Sequence, residues 1–170
     1  MKVRVCILGL AASLATLTAC NTDNSVECPE NYSGPLASSE EKMVGEWLLT
    51  DIMADTEVDL TDDGEDNPST NIFDQYSDCQ RDGAYTFATD RTYSFKQSLK
   101  ATDCERTVDL SGTWQLAGST LGLVGSCTEQ YLVIELNEDN TEFVFKENFN
   151  VTDVSGNIVQ TEVSFTYSLQ

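Results

Sequence analysis

The stretch Val108-Asp109-Leu110-Ser111-Gly112-Thr113-Trp114-Gln115-Leu116-Ala117-Gly118-Ser119-Thr120-Leu121-Gly122-Leu123 decides the fold. Val108, Leu110, Gly112, Trp114 and Leu116 alternate with Asp109, Ser111, Thr113 and Gln115. A repeat of two puts every apolar side chain on one face of a strand, whereas a helix would scatter them around its axis. Ala117-Gly118-Ser119 then turns the chain back into Leu121 and Leu123, which makes a hairpin with one dry face and one wet face.

The same pattern extends in both directions. Upstream, residues 84–88 and 92–97 flank the short turn Thr89-Asp90-Arg91 and carry Tyr85, Phe87, Tyr93 and Phe95 at period two. Downstream, residues 131–136 lead through Asn137-Glu138-Asp139-Asn140 into residues 141–150, where Phe143, Phe145 and Phe149 alternate with Glu142, Val144 and Lys146. After Ser155-Gly156-Asn157, residues 158–169 set Val159, Val163, Phe165, Tyr167 and Leu169 against Gln160, Glu162, Ser164, Thr166 and Ser168. A further strand opens the series at Gly45-Glu46-Trp47-Leu48-Leu49-Thr50-Asp51-Ile52, and a long acidic loop, residues 55–82, follows it. Before that strand, Ser38-Ser39-Glu40-Glu41 supplies a cap and acidic first-turn residues for one helical turn ending near Met43. The expectation is an all-β domain, an eight-stranded antiparallel up-and-down barrel with a short N-terminal helical turn. A barrel removes exposed edges and can hold side chains or one small ligand. The alternative is a β-sandwich, which the same alternation permits but which needs longer crossing connections.

Two Gly-x-Trp triplets, Gly45-Glu46-Trp47 on the first strand and Gly112-Thr113-Trp114, resemble the signature of lipocalins. With Cys79-Gln80-Arg81-Asp82 leading into Tyr85-Thr86-Phe87, then Asp90 and Tyr93, the chain is similar to the lipocalin-like domains of small Gram-negative lipoproteins. The resemblance implies a barrel closed at one end by tryptophan and a non-catalytic role in binding a small apolar or amphipathic molecule. The candidate lining is Trp47, Tyr85, Phe87, Tyr93, Phe95, Trp114, Phe143, Phe145, Phe149, Phe165 and Tyr167. So many rings can fill an interior or line a mouth, and the sequence leaves both open. Glu147 shares the alternating face of Phe145 and Phe149, so a carboxylate falls among the inward aromatics.

The first twenty residues read as an address. Lys2 and Arg4 precede an apolar run of residues 5–17, and Leu17-Thr18-Ala19-Cys20 follows. The run is short for a membrane span, which needs about 20 apolar residues, and the layout is that of a secretory signal. The last four residues resemble a bacterial lipobox, which implies removal of residues 1–19 and lipidation of Cys20, a strong two-chain anchor. Residues 20–38 read as lipidated cysteine and flexible tether, and residues 39–170 as the barrel domain. Asn21 after the anchor points, by resemblance to enterobacterial sorting, to the outer membrane. The resulting localisation is the cell envelope.

Of the six cysteines, Cys6 lies in the signal and Cys20 takes the lipid, leaving Cys28, Cys79, Cys104 and Cys127. Sequence permits three pairings. Cys79 and Cys104 flank a predicted hairpin and form the favoured pair, which leaves Cys28 with Cys127. Removing Lys2 and Arg4 moves the net charge from −20 to −22. Such a chain repels phosphates, which excludes nucleic acid as a partner, and it supports an alternative function, a protein-interaction or inhibitor module of the envelope that turns the acidic loop, residues 55–82, toward a basic protein. The absence of histidine excludes Ser-His-Asp and Cys-His catalysis and most catalytic zinc sites, so the expectation is no enzyme and no cofactor. One ion site is suggested: Asp59, Thr61, Asp63 and Glu65 around Gly64 repeat the start of a calcium loop, although Thr70 stands where an acidic final ligand belongs.

Overall fold

A computed structural model describes residues 27–98, 104 and 106–170. The leader, Cys20 and the first part of the tether lie outside the described residues.

Among the described residues nine strands form one sheet: β1 (Gly45–Val58), β2 (Ser69–Asn71), β3 (Ala84–Phe87), β4 (Thr92–Gln97), β5 (Val108–Ala117), β6 (Thr120–Gly125), β7 (Thr128–Leu136), β8 (Glu142–Thr152) and β9 (Ile158–Leu169). From β3 to β9 each strand pairs with the next, and β1 pairs with both β3 and β9. The result is the expected closed eight-stranded antiparallel up-and-down barrel, with β2 as a short addition. The 3-10 turn Glu41–Met43 sits just before β1, as the sequence predicts.

β1 holds the barrel together because it serves two edges. One edge pairs first with β3, at Trp47 with Tyr85 and Leu48 with Ala84, and then with β2, at Met53 with Asn71 and Val58 with Ser69. The other runs along β9 from Trp47–Leu169 to Ala54–Val163, with a register shift between Leu49 and Asp51. That bulge moves the buried set from Trp47 and Leu49 to Ile52 and Ala54. It also hides the strand's second half from a period-two reading, so β1 continues to Val58 where the sequence suggested a loop from residue 55.

Residues 55–82 contain more structure than an acidic loop. After β2 come two single-turn helices, α1 (Ile72–Gln75) and α2 (Asp78–Arg81). Asn71 caps α1 by accepting from the Asp74 amide, and Ser77 and Gln80 form a capping box on α2. One turn is too short to show a helical period, so local caps rather than amphipathicity specify them.

Disulfides join Cys28 to Cys127 and Cys79 to Cys104, the favoured pairing. The first changes the picture of the tether. Besides that bond, the Tyr32 amide donates to Thr113 Oγ1 at 2.9 Å and the Tyr32 hydroxyl to Glu129 at 3.0 Å. Farther on, the Gly34 and Pro35 carbonyls accept from Arg91, each at 3.0 Å. Residues 27–38 are therefore a strap along the outside of β5–β7, held by backbone and side-chain partners that a polar sequence does not reveal.

The turn between β6 and β7 is two residues, Ser126 and Cys127, both with positive φ (49° and 61°). This mirror-image turn suits the twist of a hairpin but favours Asn-Gly. Here it places the Cys127 sulfur on the strap.

Candidate functional site

The interior has two halves. At one end the barrel is solid. Trp47 donates its indole N–H to the Met43 carbonyl at 2.8 Å, which ties the 3-10 turn over the opening. Trp114 donates to Ala88 at 3.1 Å in the turn between β3 and β4. Phe143 packs on Trp47 at 5.1 Å and Phe87 on Trp114 at 5.3 Å between ring centroids. These four rings are at most 1 % exposed. Trp47, Phe87, Trp114 and Phe143, read from sequence as ligand-lining, are thus packed in the floor and stand apart from the residues that wall the cup at the other end. Tyr93 also packs against the core without lining it.

Beneath that floor lies an ion pair that the sequence analysis missed. Arg91, at φ 68°, directs its guanidinium inward and meets Glu40 through two hydrogen bonds of 2.8 Å. The residues are 4 % and 2 % exposed. Glu40 also accepts from the Ala37 amide at 2.7 Å and the Leu116 amide at 3.1 Å. The Arg91 hydrogen bonds are the main reason its carboxyl falls from 4.5 to about 2, against the opposing effect of burial. A buried pair persists when each remaining lone pair and N–H has a partner, and this one is saturated.

The other end is open. A cavity of about 300 Å³ runs down from the mouth and is walled by Tyr85, Phe95, Phe145, Phe165, Tyr167 and Phe149, all inward aromatics expected from the sequence. The rings form a nearly continuous belt: Tyr85–Phe95 at 4.6 Å, Tyr85–Tyr167 at 5.2 Å and Phe145–Phe165 at 4.9 Å. A recess of about 240 Å³ adjoins it and shares Ile52, Tyr76, Phe149 and Phe165. The rim is polar, with Gln80, Gln97, Gln130 and Glu147. Gln97 donates to the Gln80 carbonyl at 2.7 Å, fixing β4 to α2. Tyr76 and Gln80 carried no period-two signal, because they lie in the capped segment between β2 and β3.

Tyr85 and Tyr167 are 8 % and 4 % exposed, and neither hydroxyl hydrogen-bonds to another described residue. Burial, reinforced for Tyr85 by the charges of Tyr93 and Glu147, pushes its phenol well above the usual range. Burial and then Tyr85 do the same for Tyr167. Both phenols are neutral at any ordinary pH. A cup of this size, apolar in its walls and with a few convergent polar groups, can hold a small molecule.

The acidic loop is organised around itself. Asp59, 7 % exposed, accepts from Thr61 N and Oγ1 at 3.1 and 3.0 Å and from the Asn67 amide at 3.3 Å. Asp63 accepts from the Glu65 amide at 2.9 Å and the Asn67 side chain at 3.0 Å. Among the described residues no group of three or more His, Cys, Asp or Glu is placed to hold a metal ion. The loop brings Asp59, Thr61, Asp63 and Asn67 together but spends their oxygens on its own amides and hydroxyls, while Glu65 contributes through its backbone.

Fold and cavity together define a disulfide-stapled barrel that fits a lipocalin-like architecture, closed at one end and cupped at the other. A family model described as a domain of unknown function, DUF5004, matches residues 21–170, and the chain belongs to that family. No curated protein matches the chain.

Proposed function

We propose that the protein is a lipid-anchored, non-catalytic carrier of the bacterial envelope that holds a small apolar or amphipathic molecule in its aromatic cup. The observation that supports this is the half-open interior: ordinary core packing consumes Trp47 and Trp114, whereas Tyr85, Phe145, Phe165 and Tyr167 face a cavity of about 300 Å³. The leader and Leu17-Thr18-Ala19-Cys20 supply the anchor, by resemblance, and two disulfides suit an oxidising compartment. Outer-membrane placement rests on Asn21.

Native mass spectrometry of the purified protein tests the carrier, with a co-purifying lipid-sized mass as the expected result. An empty protein that also fails to bind 1-decanol would reject it. Membrane fractionation tests the anchor: Cys20→Ser is expected in the soluble fraction, and retention of that variant on membranes would exclude lipidation there.

A second reading is favoured by the exposed acids Asp62, Asp63, Glu65 and Asp66, which stand together on one loop. In it the loop docks a basic protein of the envelope by charge steering. Salt-sensitive capture of one partner, lost when these four acids become amides, would support this reading over the carrier.

A further inference from the structure

Among the described residues, the lining of the cup carries charge of one sign only. Among the described residues lining it, Glu147 is the one carboxylate, and neither lysine nor arginine is present. Glu147 lies on β8 opposite Val163, one inward step from Phe145, where Phe145 pairs with Phe165. Lys146, its neighbour, belongs to the outer face and meets Glu162 at 3.5 Å. Among the described residues no cation pairs with Glu147.

Three features converge on one ligand chemistry. Aromatic faces attract cations through their quadrupoles, and the belt of Tyr85, Phe95, Phe145, Phe165 and Tyr167 presents several around one space. The hydroxyls of Tyr85 and Tyr167 make no hydrogen bond to another described residue and can accept from a head that carries an N–H, whereas a quaternary head meets the ring faces alone. Glu147 then places a full negative charge at the mouth. Carboxylate or phosphate ligands would meet that charge, the π-faces and a chain of net charge −20.

We propose that the cup selects an amphiphile with an organic ammonium head, seated among the aromatic faces with Glu147 as counter-ion and its apolar tail toward Leu49 and Ile52. This rests on the carrier reading and specifies what is carried. The cavity, at about 300 Å³, suits a ligand of modest size, with about 30 Å³ corresponding to one liquid water. An ammonium head could come from a free amine or from a choline-type lipid headgroup, and the probes below separate the two.

The test compares decyltrimethylammonium, decylphosphocholine, 1-decanol and decanoate below their micelle concentrations, by calorimetry on the full mature chain. High ionic strength screens the diffuse field of the acidic chain and leaves close contacts. Decyltrimethylammonium is expected to bind at least about tenfold more tightly than 1-decanol, about 1.4 kcal/mol, with decanoate weakest. In Glu147→Gln that preference is expected to vanish while 1-decanol binds as before, which also shows that the variant is folded. Tyr85→Phe keeps the ring and is expected to retain the quaternary ammonium probe. Equal binding of decylphosphocholine would point to a lipid source, and its exclusion to a free amine. Wild-type binding of 1-decanol with no gain for the ammonium, or a gain that survives Glu147→Gln, overturns the ammonium proposal and leaves the carrier standing. No binding of any probe overturns both.

Discussion

Arg91 and Glu40, 51 positions apart, face each other in the buried end of the barrel through two parallel hydrogen bonds of 2.8 Å. The pair joins three parts of the chain: the strap through Gly34 and Pro35, the turn between β3 and β4, and β5 through the Leu116 amide. Removing one partner strands the other charge in the core. Arg91→Ala is therefore expected to cost about 3–5 kcal/mol in urea unfolding.

The same pair sets a pH dependence. Folding holds the Glu40 carboxyl at about 2 instead of 4.5, so the folded state favours the ionised form. Its contribution is complete above pH 4.5 and is lost as pH falls toward about 2. Unfolding midpoints of wild type are expected to drop across that window more steeply than those of Glu40→Gln. Parallel pH profiles for the two proteins would contradict the assignment.

The Cys28–Cys127 bond closes a loop with a sequence separation of 99 and fastens a turn whose two residues both have positive φ. Replacing both cysteines with serine is expected to cost about 2–4 kcal/mol. It should also raise proteolysis between Glu27 and Gly34 in the strap. Intact-mass measurement with and without alkylation checks the premise, with Cys28, Cys79, Cys104 and Cys127 all unreactive.

Gly112, from the second Gly-x-Trp triplet, lies where a Cβ would collide with the Val124 carbonyl oxygen across the β5–β6 pair. Backbone cannot step aside as a flexible side chain can. Gly112→Ala is expected to cost about 1–3 kcal/mol. Gly118→Ala meets nothing within 4 Å and bears only the expense of φ 65°, about 1 kcal/mol. Melting temperatures should rank the two in that order.

Asp59 accepts directly from the Thr61 and Asn67 amides of its own loop. Millimolar calcium is expected to leave the wild-type melting temperature unchanged, and Asp59→Ala to cost about 1–2 kcal/mol without any calcium present. A calcium-dependent rise that Asp63→Ala abolishes would instead support an ion site in the loop.

Much of the barrel was legible because one face of each strand is wet: Val108 to Leu116 and Val159 to Leu169 announce their pairing through alternation alone. The bulge at Thr50 defeated the same logic in β1, since a single extra residue puts later side chains out of phase. The aromatic set was also legible, but not its division. Tyr85 and Phe87 are two residues apart on one face and look alike in sequence, yet one walls the cup and the other seals the floor. Depth along the barrel axis depends on stagger between strands, which no single strand records. Arg91 and Glu40 gave no signal, since a lone arginine in a turn and a glutamate before a helical turn are ordinary surface residues until the fold buries both.

The pairing of β1 with β9 carries a consequence for how the protein comes into being. Trp47 pairs on one side with Leu169, and Leu49 with Tyr167, both from the far end of the barrel's strand order. Until they arrive, the growing polypeptide is a sheet with two open edges, and contacts so distant in sequence form slowly. A molecule of this design cannot finish folding as it emerges. Closure of the barrel has to wait until β9 is available to β1.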